Sequence, residues 1–91
     1  MNLQRREEAC RRILAAVAHS WGHPDGWSFR VDVDEGLRLF KLSASRLVDD
    51  RRFDDLLSFT FEEMIDYNNE MVERKVLVMY RDCLRAVGRA T

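Results

Sequence analysis

The residue types able to do chemistry are few in this chain: two histidines, two cysteines and a scatter of carboxylates. His19, His23 and Asp25 offer zinc-type donors within one short stretch. A structural zinc asks for four protein ligands, and Gly22 and Pro24 break the helical spacing that would set both imidazoles on one face. Two loop histidines and no metal are therefore expected. Asp32, Asp34 and Glu35 beside Gly36 resemble the start of a calcium loop, but the glycine comes one place early and the later ligands are missing. Cys10 precedes His19 by a little over two helical turns, too far along the axis for a nucleophile and its base to touch. Cys83 meets a histidine only if tertiary packing brings them together. There is no glycine-rich phosphate loop, Cys-x-x-Cys pair, His-Glu-x-x-His helix or Gly-x-Ser-x-Gly elbow. The expectation is a protein that is not an enzyme and carries no cofactor.

Charge patterning is more informative. The acids Asp49, Asp50, Asp54, Asp55, Glu62, Glu63 and Asp66 outweigh Arg51 and Arg52 to leave that segment at −5. From residue 74 onward Arg74, Lys75, Arg81, Arg85 and Arg89 stand against Asp82 alone, at +4. The overall charge of −1 conceals a two-signed molecule. The acidic segment is suited to a basic groove on a protein partner, including a groove built for nucleic acid. The alternative is nucleic-acid contact through Arg81, Arg85 and Arg89, which share one stripe at four-residue spacing. The mildly acidic whole and the absence of aromatic or amide readers weigh against it.

These residues must be positioned by a mixed fold. In Trp27–Val33 the apolar residues Trp27, Phe29, Val31 and Val33 alternate with Ser28, Arg30 and Asp32, the period of a strand. Leu37–Leu42 reads as its hairpin partner. A three-residue loop with Gly36 in the left-handed position pairs Val33 with Leu37, Val31 with Leu39 and Asp32 with Arg38. That register leaves Phe40 and Leu42 on the second face, where they need a cover or a partner. A first helix is predicted over residues 3–20, N-capped by Asn2, with Cys10, Ile13, Leu14, Val17 and Trp21 on its apolar face. Thr60 and Glu63 form a capping box, flanked by Phe59 and Met64 as a hydrophobic staple. They predict a long helix from Phe61 to about Gly88, with a bend or an overhang at Asn68–Asn69. Between hairpin and long helix, residues 43–58 suggest one or two short helices with Asp50 as a cap.

The expected architecture is a single α+β domain over residues 1–91, ordered α-β-β-α-α: a two-stranded antiparallel hairpin packed on helices, with a long C-terminal helix. Cys10 and Cys83 fall on apolar helix faces, as buried reduced thiols would. A bridge between them requires the terminal helices to pack side by side. No apolar run is long enough for a membrane span and no signal peptide is read, so a cytoplasmic location without membrane contact is expected. Thirteen of the fifteen basic residues are arginine, a bias that accompanies GC-rich coding in bacteria and their phages. The functional expectation is a small noncatalytic protein-binding module that docks through its acidic segment and its long helix, an inhibitor or adaptor of the kind phages and mobile elements direct at host systems such as CRISPR, with no small-molecule substrate. The girth of the long helix around Leu77, Val78 and Tyr80 is apolar on every side, which also suits a homodimer joined there.

Overall fold

The structure, a computed structural model, describes residues 1–21 and 26–90, the side chains of Arg89 and Ala90 excepted. The element order is α1 (Leu3–Ser20), β1 (Ser28–Asp34), β2 (Leu39–Val48), β3 (Arg51–Thr60), α2 (Phe61–Asp66) and α3 (Asn69–Ala90). The α+β class and the long C-terminal helix stand as expected. The hairpin is extended by a third strand, giving an antiparallel sheet in the order β1-β2-β3. α1 and α3 pack against each other and against one face of this sheet.

Helix α1 begins where Asn2 caps it, its Oδ1 accepting the Arg5 N–H at 2.9 Å. Its buried stripe is Ala9, Ile13, Ala16 and Val17, while Leu14 lies on the exposed side. Trp21 closes the helix and is itself buried, edge-on to Trp27 and Phe29 and 4.8 Å from the Tyr80 ring of α3.

The hairpin register differs from the expected one. Val33 pairs with Phe40, Val31 with Leu42 and Asp32 with Lys41, across a four-residue loop of residues 35–38. The left-handed position is Arg38, at φ 55°, and not Gly36. The cause is tertiary. The Arg38 carbonyl accepts the Phe61 N–H at 3.0 Å, and its guanidinium lies over the Phe61 ring and on Glu62. Docking against α2 thus holds Arg38 in a conformation that a local reading gives to glycine. Relative to the expected register the shift is odd, so the second strand turns over. Phe40 and Leu42 then join Phe29 and Val31 on the helix side, at 0% exposure, and neither is left on the second face to be covered. Phe59 packs beside them from β3.

The third strand replaces the short helices expected over residues 43–58. Val48 pairs with Arg51, so Asp49 and Asp50 form a two-residue turn, with φ of 50° and 65°. Two successive positive φ values are the type I′ geometry that suits the twist of a hairpin. Asp50 is a turn residue rather than a helix cap. The spacing of Phe53, Leu56 and Leu57 mimics a helix; the strand instead alternates Phe53, Asp55, Leu57 and Phe59 on one face with Arg52, Asp54, Leu56 and Ser58 on the other.

The capping box forms as expected, Thr60 Oγ1 accepting the Glu63 N–H and Glu63 Oε1 accepting the Thr60 N–H, both at 2.9 Å. The helix it starts stops at Asp66. Asn68 then caps a new one, its Oδ1 accepting the Met71 N–H at 2.9 Å. Arg12 of α1 sits in the joint and donates to the carbonyls of Met64 and Tyr67 and to Asn69 Oδ1. A guanidinium fork satisfies carbonyls that the helix break would otherwise orphan.

Candidate protein-binding surface

The acidic residues singled out in the sequence are not gathered on one surface. Asp49 and Asp50 sit in the β2–β3 turn, and Glu62, Glu63 and Asp66 lie beyond the opposite end of β3. A ten-residue strand separates the two groups by about 30 Å. Asp54 and Asp55 point to opposite faces of the sheet between them. Most of these carboxylates are engaged within the fold. Asp54 pairs with Arg52 at 3.0 Å and Glu62 with Arg38 at 3.0 Å. Asp55 accepts the Leu56 N–H through Oδ1 and the Cys83 thiol through Oδ2.

Glu63 is the most engaged of all. Burial alone would raise its pKa, but hydrogen bonds from the Thr60 N–H, the Tyr67 hydroxyl and Lys75 outweigh that and hold it at about 2. Lys75 reaches it at 3.0 Å while also donating to the Ser58 carbonyl and lying over the Phe59 ring. The carboxylates of Asp49, Asp50 and Asp66 make no hydrogen bond or ion pair with the described residues.

The groups with reactive potential are likewise built into the structure. Cys83 is buried, and desolvation together with the Asp55 charge pushes its thiol up to about 12. Cys10 is half-buried and its thiol is also raised, first by desolvation and then by Asp32. α1 and α3 do pack side by side, yet both thiols are free: Cys10 lies near Val33 of β1 and Cys83 against Asp55 of β3. His19 Nδ1 is 2.9 Å from Glu73 Oε1. His23 and Asp25 lie outside the described residues, so the zinc-type grouping with His19 does too. Among the described residues no cluster of three metal-ligating side chains occurs. Asp34, the core of the calcium-like run, instead accepts the Leu37 N–H and pairs with Lys41 at 3.1 Å. Its pKa is lowered by those two contacts, the backbone one foremost.

The basic stripe is partly neutralised. Arg74 pairs with Glu70 at 2.6 Å and Arg85 approaches Asp82 at 3.9 Å. Arg81 is exposed, and the Arg89 side chain lies outside the described residues.

The face of the sheet turned away from α1 and α3 went unrecognised in the sequence. Its cross-strand rows read Ser28–Ser45–Asp54, Arg30–Ser43–Leu56 and Asp32–Lys41–Ser58. Ser28, Arg30, Ser43, Ser45, Arg52 and Asp54 surround a shallow depression of about 730 Å³. Charges around it are paired, Arg30 with Asp32 at 2.8 Å and Arg52 with Asp54. Leu47 and Leu56 stand out from it at 71% and 56% exposure. The alternation in residues 51–60 is the sequence signal for this face, masked by the helical spacing of Phe53, Leu56 and Leu57.

Comparison with protein-family models, with curated proteins and with solved structures finds no match to this chain. No helix of the described residues is long and apolar enough to cross a membrane.

Proposed function

We propose that this chain is a noncatalytic protein-binding module, an inhibitor or adaptor, and that it docks through the uncovered face of its sheet and the Asp49–Asp50 turn. The observation that carries this reading is the composition of that face. Exposed Leu47 and Leu56 stand among serines and mutually neutralised Arg–Asp pairs. Apolar anchors ringed by satisfied polar groups are the anatomy of a protein interface. The face is balanced in charge and has no aromatic side chain, which disfavours stacking of nucleic-acid bases. The acidic docking element narrows from the whole segment to Asp49 and Asp50, whose carboxylates have no partner among the described residues. The arginine bias and small size extend the proposal to an inhibitor of phage or mobile-element origin, acting in the cytoplasm on a host complex with a basic groove.

The test is a bacterial-lysate capture with tagged protein, followed by quantitative binding of the captured partner to variants. Asp49→Lys with Asp50→Lys, and separately Leu47→Lys with Leu56→Lys, are expected to weaken binding at least ~10-fold, as loss of interface anchors does, with unchanged circular dichroism. Arg81→Glu with Arg85→Glu is expected to leave binding intact. Unchanged affinity in the first two variants would overturn the reading. Heparin retention that falls steeply with salt and vanishes in the third variant would favour nucleic-acid contact through α3 instead.

A further inference from the structure

The outer edge of β3 has two halves of different character. The two-residue turn makes Val48 and Arg51 a hydrogen-bonded pair, so alternate residues of β3 bond to β2. The N–H and C=O groups of Arg52, Asp54, Leu56, Ser58 and Thr60 therefore point outward. Near α2 this edge is partly occupied by side chains. Lys75 Nζ takes the Ser58 carbonyl at 2.6 Å, Glu63 the Thr60 N–H at 2.9 Å, and Asp55 the Leu56 N–H at 2.9 Å. Near the turn, no hydrogen bond among the described residues engages the outward groups of Arg52 and Asp54. An unpaired edge is a template for another strand.

The residues along the free half are Arg51-Arg52-Phe53-Asp54-Asp55, a charge palindrome about Phe53. From this we infer that β3 pairs antiparallel with β3 of a second copy, on a two-fold axis at Phe53, to make one six-stranded sheet. In this register Arg52 lies opposite the second copy's Asp54 and both exchange their free backbone N–H and C=O groups. Arg51 lies opposite the second copy's Asp55, and the two half-buried Phe53 rings meet on the helix side. Moving the axis by one residue sets Arg52 against Arg52 or Asp54 against Asp54, and like charges directly opposite oppose pairing. Only the register centred on Phe53 sets Arg51, Arg52, Asp54 and Asp55 each opposite its complement, and its backbone exchange uses Arg52 and Asp54, the half of the edge that no side chain occupies. The Arg52–Asp54 pair already present along the strand becomes half of a four-charge checkerboard. This interface is distinct from a helix-to-helix dimer through α3, and it rests on the backbone edge of β3 rather than on the face that carries the partner-binding reading.

Sedimentation equilibrium of the full chain up to millimolar concentration tests it. The wild type is expected to dimerise. Arg52→Asp and Asp54→Arg, each alone, are expected to weaken the dimer about tenfold or more, because each places two like-charge pairs across the axis. Arg52→Asp combined with Asp54→Arg is expected to restore it, since the palindrome is then reversed but intact. If a single variant misfolds, hydrogen exchange on the wild type still decides: the Arg52 and Asp54 amides must slow as concentration rises. A wild type that stays monomeric at millimolar concentration would overturn the inference. So would a dimer that tolerates both single reversals, or one in which those two amides gain no protection.

Discussion

At the scale of residues, the carboxylates and thiols of this chain act mainly as structural parts. Glu63 joins the start of α2, the end of β3 and the middle of α3 through one carboxylate. Its folded pKa of about 2 lies below the ordinary 4.5, so its contribution is fully present above the ordinary value. That contribution is lost as pH falls from about 4.5 towards about 2. Thermal melts across that range are expected to show wild type losing more stability than Glu63→Gln. At neutral pH the variant is expected to be less stable by about 1–2 kcal/mol, the size of a charge-assisted hydrogen bond partly open to water. Equal acid sensitivity of the two proteins would contradict this role. Cys83 makes a second prediction. Its buried thiol, raised to about 12, is expected to resist iodoacetamide in the native protein and to react on unfolding, as read by mass spectrometry. Fast native labelling would mean that α3 opens away from Asp55. The Thr60–Glu63 box was legible in the sequence because it is local. The Lys75 and Tyr67 contacts to the same carboxylate were not, because they come from later residues brought back by folding.

At the scale of elements, residues 43–58 carry the most ambiguous pattern. Phe53, Leu56 and Leu57 satisfy a helical spacing and also lie within a strand alternation, and a short apolar run does not arbitrate between the two. The turn that would have arbitrated is Asp49-Asp50, which lacks the glycine that usually marks type I′ geometry. Both aspartates take positive φ without it. Asp50→Gly is therefore expected to stabilise the protein by about 0.5–1 kcal/mol by relieving the left-handed cost. A rise in melting temperature with unchanged strand content checks this; a fall would show that the Asp50 side chain has a stabilising contact of its own. The first hairpin shows the converse. Gly36 had the right type for a left-handed position, but Arg38 occupies it because Phe61 and Glu62 hold it there. At Asn68 a local cap and the Arg12 fork together convert one expected helix into two.

At the scale of the whole molecule, the two-signed charge pattern does not produce two opposed patches. The acids are spread from the β2–β3 turn along β3 to α2, and the bases of α3 are partly paired along their own helix. What the assembled molecule presents is asymmetric in another way: one face of the sheet is covered by α1 and α3, and the other is turned outward with its charges matched in pairs. Pairing of β3 across a two-fold axis would double that outward face into one continuous surface. Partner capture and self-association are read by different measurements, and the single changes Leu47→Lys and Asp49→Lys, which lie outside the Arg52–Asp54 exchange, are expected to weaken the first without the second.

The α+β class, the extent of α1, the Asn2 cap and the capping box at Thr60 were determined by the sequence alone, because each rests on neighbours within a turn or on a short-range period. The hairpin register, the third strand, the break at Asn68 and the identity of the exposed face were decided by tertiary structure. The register rests on Arg38 meeting Phe61 and the break on Arg12 meeting Met64 and Tyr67, while the third strand and the exposed face follow from the pairing of β3 with β2. A one-dimensional pattern reports which residues are apolar and how they repeat, but only the packed chain sets which of two equally periodic arrangements satisfies the backbone groups and buries Phe40, Leu42 and Phe59 together.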